Sequence, residues 1–205
     1  MKLNPKLLIG LGLLLVIGYF LQDLVFGSDQ YAIGIRKARQ DKNNAFRRAE
    51  NSPFSETGQQ SFDSLRYFAP NKDYRLSAQY APISNHDTVQ LATTTGQPEK
   101  YLRWGKASFI LNKQEYNLTL FRRATGTDTT LFIPFADRTN GRTTYGGGRY
   151  LDAALPTPDD TEVLLDFNTA YNPYCAYNDT YTCPLPPAEN RLNVELPAGE
   201  QAFHE

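Results

Sequence analysis

The segment YLRWGKASFILNKQEYNLTLFR, residues 101–122, decides the fold class of this chain. In its second half, apolar Tyr116, Leu118 and Leu120 alternate with polar residues. A period of two is typical of a strand with one buried face and one exposed face. An asparagine and a lysine follow Leu111 and fit a turn between two strands. The segment therefore predicts two neighbouring strands that meet at this turn.

Strand-like segments recur along the rest of the chain and predict a fold that is mostly β. Tyrosine (13) and phenylalanine (12) are abundant beside 14 glycines and 13 prolines, a composition that favours strands and turns over a helical bundle. The predicted strands are Tyr74–Tyr80, Thr88–Thr94, Tyr101–Leu111, Tyr116–Arg122, Thr130–Ala136, Val163–Phe167 and Leu192–Leu196. We expect a single antiparallel β-sandwich or barrel-like domain over residues 51–205.

The N-terminal segment carries an uncharged run, LLIGLGLLLVIGYFL at residues 7–21, and apolar residues resume up to residue 26. A helix needs about 20 apolar residues to span a bilayer. Residues 1–28 therefore predict a transmembrane anchor that contacts the membrane through residues 7–26. A weakly amphipathic pattern follows and predicts a short linker helix over residues 29–50.

Two lysines, Lys2 and Lys6, precede the apolar run and favour a cytoplasmic N-terminus. This orientation predicts a membrane-anchored domain on the extracytoplasmic, periplasmic side. The alternative is a signal peptide that is cleaved after Gly27, which would leave a secreted domain.

The charge balance bounds the classes of partner. With 21 basic and 22 acidic residues the net charge is -1, so no nucleic-acid partner is expected. Two histidines are too few for a His-rich metal site. We predict no metal and no other cofactor.

Residues 131–200 concentrate polar residues, glycines, prolines, tyrosines and both cysteines. Asp137 and Thr139 there either line a pocket or close a turn after a strand. Three glycines precede Arg149. In one interpretation they let backbone N–H groups approach an anion, and the Arg149 guanidinium binds the same anion through two N–H groups. In the other they bend a strand, and Arg149 pairs with an acidic residue. No Lys-Ser or Lys-Thr follows, so a P-loop is rejected.

Oxygen-bearing side chains follow the next predicted strand. Asp166, Asn168 and Asn172 suit a hard cation, but their spacing does not match the twelve-residue Ca²⁺ loop. The other interpretation is that they satisfy backbone groups of an irregular, inward-packed segment. Glu189 is either a general acid or base beside Asp166, or it forms a salt bridge to Arg149 or Arg191.

The two cysteines, Cys175 and Cys183, enclose a loop of seven residues. Zinc or thioredoxin-type chemistry is a weak interpretation, because there is no Cys-x-x-Cys and no histidine nearby. Outside the cytoplasm a disulfide is the default. The expected compartment therefore predicts a disulfide between these residues.

Residues 131–200 resemble a bacterial family known as the domain of unknown function numbered 1684. The matching residues are Phe135, Asp137, Thr139, Gly141, Thr144, Tyr145, Gly148, Arg149, Tyr150, Leu151, Asp166, Phe167, Asn168, Ala170, Tyr171, Asn172, Pro173, Cys175, Ala176, Tyr177, Cys183, Pro184, Pro186, Pro187, Glu189, Asn190, Ala198, Gly199 and Glu200. The likeness covers roughly residues 36–203. It implies one predominantly β, often exported domain, and it implies no activity.

Two functional hypotheses remain, so whether the protein is an enzyme stays open. The first is a tethered domain that binds a small polar molecule, a glycan or a protein partner through residues 137–190. Its candidate ligand-binding residues are Asp137, Thr139, Tyr145, Arg149, Asp166, Asn168, Tyr171, Asn172, Glu189 and Asn190. The alternative is a hydrolase-like enzyme with Asp166 and Glu189 as acid and base and Arg149 orienting the substrate.

Overall fold

The computed structural model describes residues 10, 16, 30–48, 50, 52–125 and 128–203. The chain divides into two compact units, residues 1–41 and residues 42–205. Residues 30–48, here α1, are helical, in the region where the sequence predicts a linker helix.

The predicted membrane anchor, residues 7–26, lies outside the described residues apart from two positions within it. Among the residues that are described, no helix combines the length and the apolar character that a membrane crossing requires.

The unit formed by residues 42–205 is built on one seven-stranded sheet, in which every strand pair is antiparallel. The strands are β1 Arg75–Pro82, β2 Thr88–Leu91, β3 Glu99–Leu111, β4 Gln114–Arg123, β5 Thr130–Phe135, β6 Arg149–Ala154 and β7 Glu162–Asp166. Their order is β6-β5-β4-β3-β1-β7, and β2 also pairs with β3. The prediction of a mostly β, antiparallel domain is confirmed. The sheet curls into a half-barrel, and its strands do not form the two packed sheets of a sandwich.

One predicted strand is absent, and one strand was not predicted. Residues 192–196 form no strand: the backbone pairs with the end of β5 only in an isolated bridge, where Leu192 N–H donates to Ala136 O at 2.7 Å, and Leu196 N–H donates to the Asp137 side chain. Strand β6 was missed. It begins directly after Gly148, whose φ of +93° ends the glycine run in a left-handed conformation. A run of glycines before a strand hides its start from an alternation pattern.

The inner face of the sheet carries the main core. The alternation along β4 points Leu118 and Leu120 into this core. The residues that pair with them on the neighbouring strand point to the same face. Fully buried members from β4 to β7 are Leu118, Leu120, Leu131, Ile133, Phe135, Leu151 and Leu165. Burying large aliphatic side chains like these supplies about 1.5–3 kcal/mol each before the entropy of ordering is subtracted.

A β-bulge redirects the first half of β3. Its pairing with β4 shifts by one residue between Arg103 and Gly105. One extra residue reverses the in-and-out alternation. Tyr101 therefore lies on the outer face with Phe121, opposite to the face of Ala107.

The chain after β7 contacts both faces of the sheet. Phe167, Leu192 and Leu196 belong to the inner core, whereas residues 171–174 and 181–184 lie against the outer face. This part of the chain contains three short 3₁₀ helices, Phe167–Thr169, Tyr174–Ala176 and Ala188–Asn190. An isolated β-bridge between Tyr150 and Tyr171 attaches this part of the chain to β6. Its two backbone hydrogen bonds have N···O distances of 2.8 and 2.9 Å. A second aromatic cluster joins Phe46, near the end of α1, to Phe62 and Tyr177; the short helix α2, Glu56–Ser61, immediately precedes Phe62.

Candidate functional site

The Arg149 side chain is fully buried, and both of its terminal guanidinium nitrogens donate hydrogen bonds, whereas its Nε has no hydrogen-bond partner among the described residues. Its guanidinium donates to Asp137 Oδ2 at 2.8 Å and to the carbonyl oxygens of Leu196 at 2.9 Å, Glu200 at 3.3 Å and Ala198. Both members of the Arg149–Asp137 ion pair are 0% exposed. Burial lowers the pKa of the guanidinium, and the adjacent carboxylate opposes that shift. The arginine holds the C-terminal segment of the chain against β6.

Asp137 and Thr139 complete this buried network. Asp137 Oδ1 accepts from the Thr139 backbone N–H at 2.8 Å, from the Thr139 hydroxyl at 2.6 Å and from the Leu196 N–H at 3.2 Å. These contacts close the turn after β5, as the turn interpretation of the sequence expects.

Two of the predicted residues, both asparagines, use their side-chain amides to hydrogen bond backbone groups in place of other backbone. Asn190 accepts from Thr119 N–H at 2.7 Å and donates to the oxygens of Thr119 and Pro134, both at 2.9 Å. Asn168 makes the same two-way contact with the backbone of Asn71, at 2.8 Å in each direction. Both side chains are buried, so they satisfy backbone groups that the irregular segments leave unpaired.

The proposed acid and base are held in two separate ion pairs. Asp166 lies 3.7 Å from Arg75, and Glu189 lies 3.1 Å from Arg103. Arg75 is at one end of β1. Pro82, at the other end, pairs with Gly105 close to Arg103. Seven residues of strand separate the two ends, roughly 20 Å. The two carboxylates therefore do not form an acid–base pair, and the buried Arg149 does not orient a substrate between them.

The predicted disulfide is absent: Cys175 and Cys183 are free thiols. Cys183 Sγ accepts from the Cys175 backbone N–H at 3.1 Å, and the Tyr145 hydroxyl donates to Cys175 Sγ at 3.8 Å. The Cys183 thiol, and then Tyr145, lower the pKa of Cys175 to about 7. The prediction rested on the expected compartment, whereas this geometry holds the sulfurs in a hydrogen-bonded cluster. Tyr145 also lines a cavity of about 250 Å³ beside Gly141.

Tyr171 and Asn172 are the two predicted residues that border the aromatic cleft, a depression of about 510 Å³ between the outer face of the sheet and the chain that follows β7. Its walls are Tyr101, Arg123, Asp128, Thr130, Phe132, Tyr150, Asp152, Tyr171, Asn172, Pro173, Tyr174, Tyr181, Thr182, Cys183 and Pro184. This volume lies in the range of about 300–1,000 Å³ that is typical of small-molecule sites.

Aromatic rings form a continuous series along the aromatic cleft. Phe132 stacks on Tyr101 with centroids 5.3 Å apart, and it meets Tyr150 edge-on at 4.7 Å. Tyr150 in turn meets Tyr171 edge-on at 5.7 Å. The register places Phe132 opposite Phe121 on β4, on the outer face of the sheet. Tyr150 is fixed further by donating to Pro184 O at 2.6 Å.

Charged groups of both signs accompany the rings. Asp152 lies opposite Phe132 on β6 and accepts from the Tyr171 hydroxyl at 3.0 Å. Asp152 is open to solvent but flanked by protein, and this partial loss of hydration raises the pKa of its carboxyl, with a smaller contribution from Asp128. Arg123 interacts electrostatically with Glu99 and Asp128.

The sequence reasoning missed most of this site. Tyr101 and Phe132 lie on strands that the sequence predicts, and Arg123 directly follows one, but nothing local distinguishes a cleft residue from a core residue of the same type. A useful signal was available in β6, where Tyr150 and Asp152 share one parity and Leu151 lies between them.

Within the described ranges, no three His, Cys, Asp or Glu residues cluster in a way that could hold a metal ion.

Comparisons with known proteins give a family and a structural relative. The model of a family described as protein of unknown function (DUF1684) matches residues 60–201. A solution NMR structure of an uncharacterized protein from Haloarcula marismortui is 36% identical; the match covers 87% of this chain and 98% of that chain, with a TM-score of 0.69. No curated protein matches this chain.

The first prediction concerns the buried ion pair. Asp137→Asn should lower the free energy of unfolding by about 3–5 kcal/mol, because it leaves the Arg149 charge buried without a counter-ion. Urea denaturation measures the change. The control is Glu195→Gln, which removes the exposed partner of Arg142 and should cost less than about 1 kcal/mol. Similar losses in the two variants would contradict the structural role of Arg149.

The second prediction concerns the thiols. Without reductant, iodoacetamide should alkylate Cys175 with a rate that rises through a midpoint at about pH 7, since the thiolate is the nucleophile. Cys183→Ala should move this midpoint upward, because it removes the thiol that stabilises the thiolate. Buried Cys183 should react more slowly. A protein that resists alkylation until it is reduced would show that the cysteines are bonded.

Proposed function

The chain belongs to the family described as protein of unknown function (DUF1684), and from its geometry we propose that it is a domain that binds a small polar ligand in the aromatic cleft. The proposal keeps the first functional hypothesis and assigns it to particular side chains. Much of the cleft comes from the polar block of residues 137–190, including Tyr150, Asp152 and residues 171–174. The strands supply the remainder.

One observation carries the proposal: the cleft is lined by aromatic faces and by charged groups that remain in contact with solvent. Ligand sites typically combine aromatic walls with a few polar groups that set orientation. Several of the other predicted residues, among them Arg149 and Asn190, have their polar atoms bound within the fold. A glycan is compatible with the tyrosine-rich walls, because sugar rings pack on aromatic faces and hydrogen bond at their rims.

We further propose that the domain lies outside the cytoplasm, tethered through residues 7–26. The apolar run and the two lysines before it support this location. Release after signal cleavage is the alternative. The free thiols remove one supporting argument, since an oxidising compartment favours a disulfide.

The third prediction tests the cleft by filling it. Thr130 is exposed at its border, so Thr130→Trp should occupy the cleft without removing a buried contact. Ligands would first be found by thermal shift of the full-length protein across a metabolite and glycan library. For each such ligand, calorimetry should then show at least about a tenfold weaker affinity for Thr130→Trp, about 1.4 kcal/mol.

Ile110→Trp is the matched control, because Ile110 is 70% exposed on β3 and does not border the cleft. Its affinity should equal that of the wild type. Equal affinities in all three proteins would place the ligand elsewhere, and a library without any binder would count against the proposal.

The fourth prediction concerns location. A β-lactamase fused after residue 205 should confer ampicillin resistance on a bacterial host, because the reporter protects cells only outside the cytoplasm. Deleting residues 1–28 should abolish resistance. An immunoblot distinguishes the two routes: a full-length product in the membrane fraction indicates an anchor, and a shorter soluble product indicates cleavage. Resistance that survives the deletion would contradict export through this segment.

A further inference from the structure

We infer that the aromatic cleft is selective for small organic cations, such as primary amines or quaternary ammonium compounds. This inference rests on the proposed function and narrows it to one class of ligand. It follows from three features of the cleft: an unpaired carboxylate, a set of differently oriented rings, and a guanidinium that already has acidic neighbours.

The unpaired carboxylate is Asp152. In the part of the chain that the structure describes, no lysine, arginine or histidine forms an ion pair with it. Its one hydrogen-bond donor is the neutral hydroxyl of Tyr171. Asp128 adds a second negative charge nearby. A ligand with a positive charge would compensate a carboxylate that the fold leaves without a counter-ion.

The rings suit the same charge. Tyr174 is 40% exposed and meets the half-buried ring of Tyr181 edge-on at 79°, so the rings at the cleft present faces in more than one direction. The face of an aromatic ring is electron-rich and attracts cations within about 6 Å of its centroid. The fold already uses Tyr171 in this way, because the Lys42 ammonium lies 5.2 Å from its centroid.

An anionic ligand fits less well. The lining contains two acidic residues, Asp128 and Asp152, and one basic residue, Arg123. The negative charges of Glu99 and Asp128 also act on the Arg123 guanidinium. An incoming carboxylate or phosphate would meet Asp128 and Asp152 as like charges. The hydroxyl groups of Thr130 and Thr182 remain as sites for uncharged parts of a ligand.

The fifth prediction compares cations with neutral molecules of the same shape. The probes are choline against 3,3-dimethylbutan-1-ol, and 2-phenylethylamine against 2-phenylethanol. Each is titrated into the ¹⁵N-labelled full-length protein by NMR. At least one cation should shift the amide signals of residues 130–132 and 150–152, with an affinity at least about tenfold higher than that of its neutral counterpart.

Two variants isolate the charge. Asp152→Asn should weaken binding of the cation about tenfold or more and leave the neutral counterpart unaffected. Asp159→Asn, an equal change of charge at an exposed turn, should leave the affinity for the cation unchanged. Thermal denaturation of both variants checks that the fold is retained.

The outcomes separate the two proposals. If a neutral counterpart binds the cleft as tightly as its cation, or if only neutral or anionic library members bind there, selectivity for cations is overturned and the ligand-binding function stands. If neither cation nor any library member shifts the signals of residues 130–132 and 150–152, both proposals fail. Loss of binding in Asp159→Asn equal to that in Asp152→Asn would reduce the effect to net charge.

Discussion

The burial of one guanidinium group organises the C-terminal third of this domain. A buried charge is costly unless it is paired and hydrogen-bonded. The terminal nitrogens of Arg149 meet this requirement with the Asp137 carboxylate and three carbonyl oxygens from residues 196–200. The side-chain carboxylate of Glu200, one of these residues, accepts a hydrogen bond from the Asn172 amide at 3.0 Å. The arginine is thereby connected, through two successive contacts, to the segment that forms a wall of the aromatic cleft.

Glu200 is the second junction in this chain of contacts. Its carboxylate is 1% exposed and binds the Lys42 ammonium at 2.7 Å, besides Asn172 and the Tyr177 hydroxyl. The lysine also lies over the ring of Tyr171. Lys42, at the start of the unit formed by residues 42–205, and Asn172, in the wall of the cleft, therefore bind the same buried carboxylate. A rigid wall is what a preorganised binding site requires, because less side-chain order then has to be created when a ligand binds.

The polar block divides into two roles that its composition does not distinguish. Asp137, Arg149 and Asn190 direct their polar atoms inward and replace backbone hydrogen bonds or neutralise charge. Tyr150 and Asp152, a few positions along β6, lie on the outer face. Family membership and the relative from Haloarcula marismortui support the fold and name no activity. The aromatic cleft itself therefore carries the proposed function.

The sequence by itself determined the mostly β fold class and six strands, because the alternation of apolar and polar residues within a strand is local and indicates which face of that strand is buried. It also located the polar block. The tertiary structure alone decided which acidic residue pairs with Arg149, how the bulge at Arg103 turns Tyr101 outward, and that the two cysteines are not bonded to each other. The aromatic cleft likewise joins residues of β3 to β6 with residues after β7. Such contacts depend on strand register and on segments far apart in the chain, which no local pattern encodes.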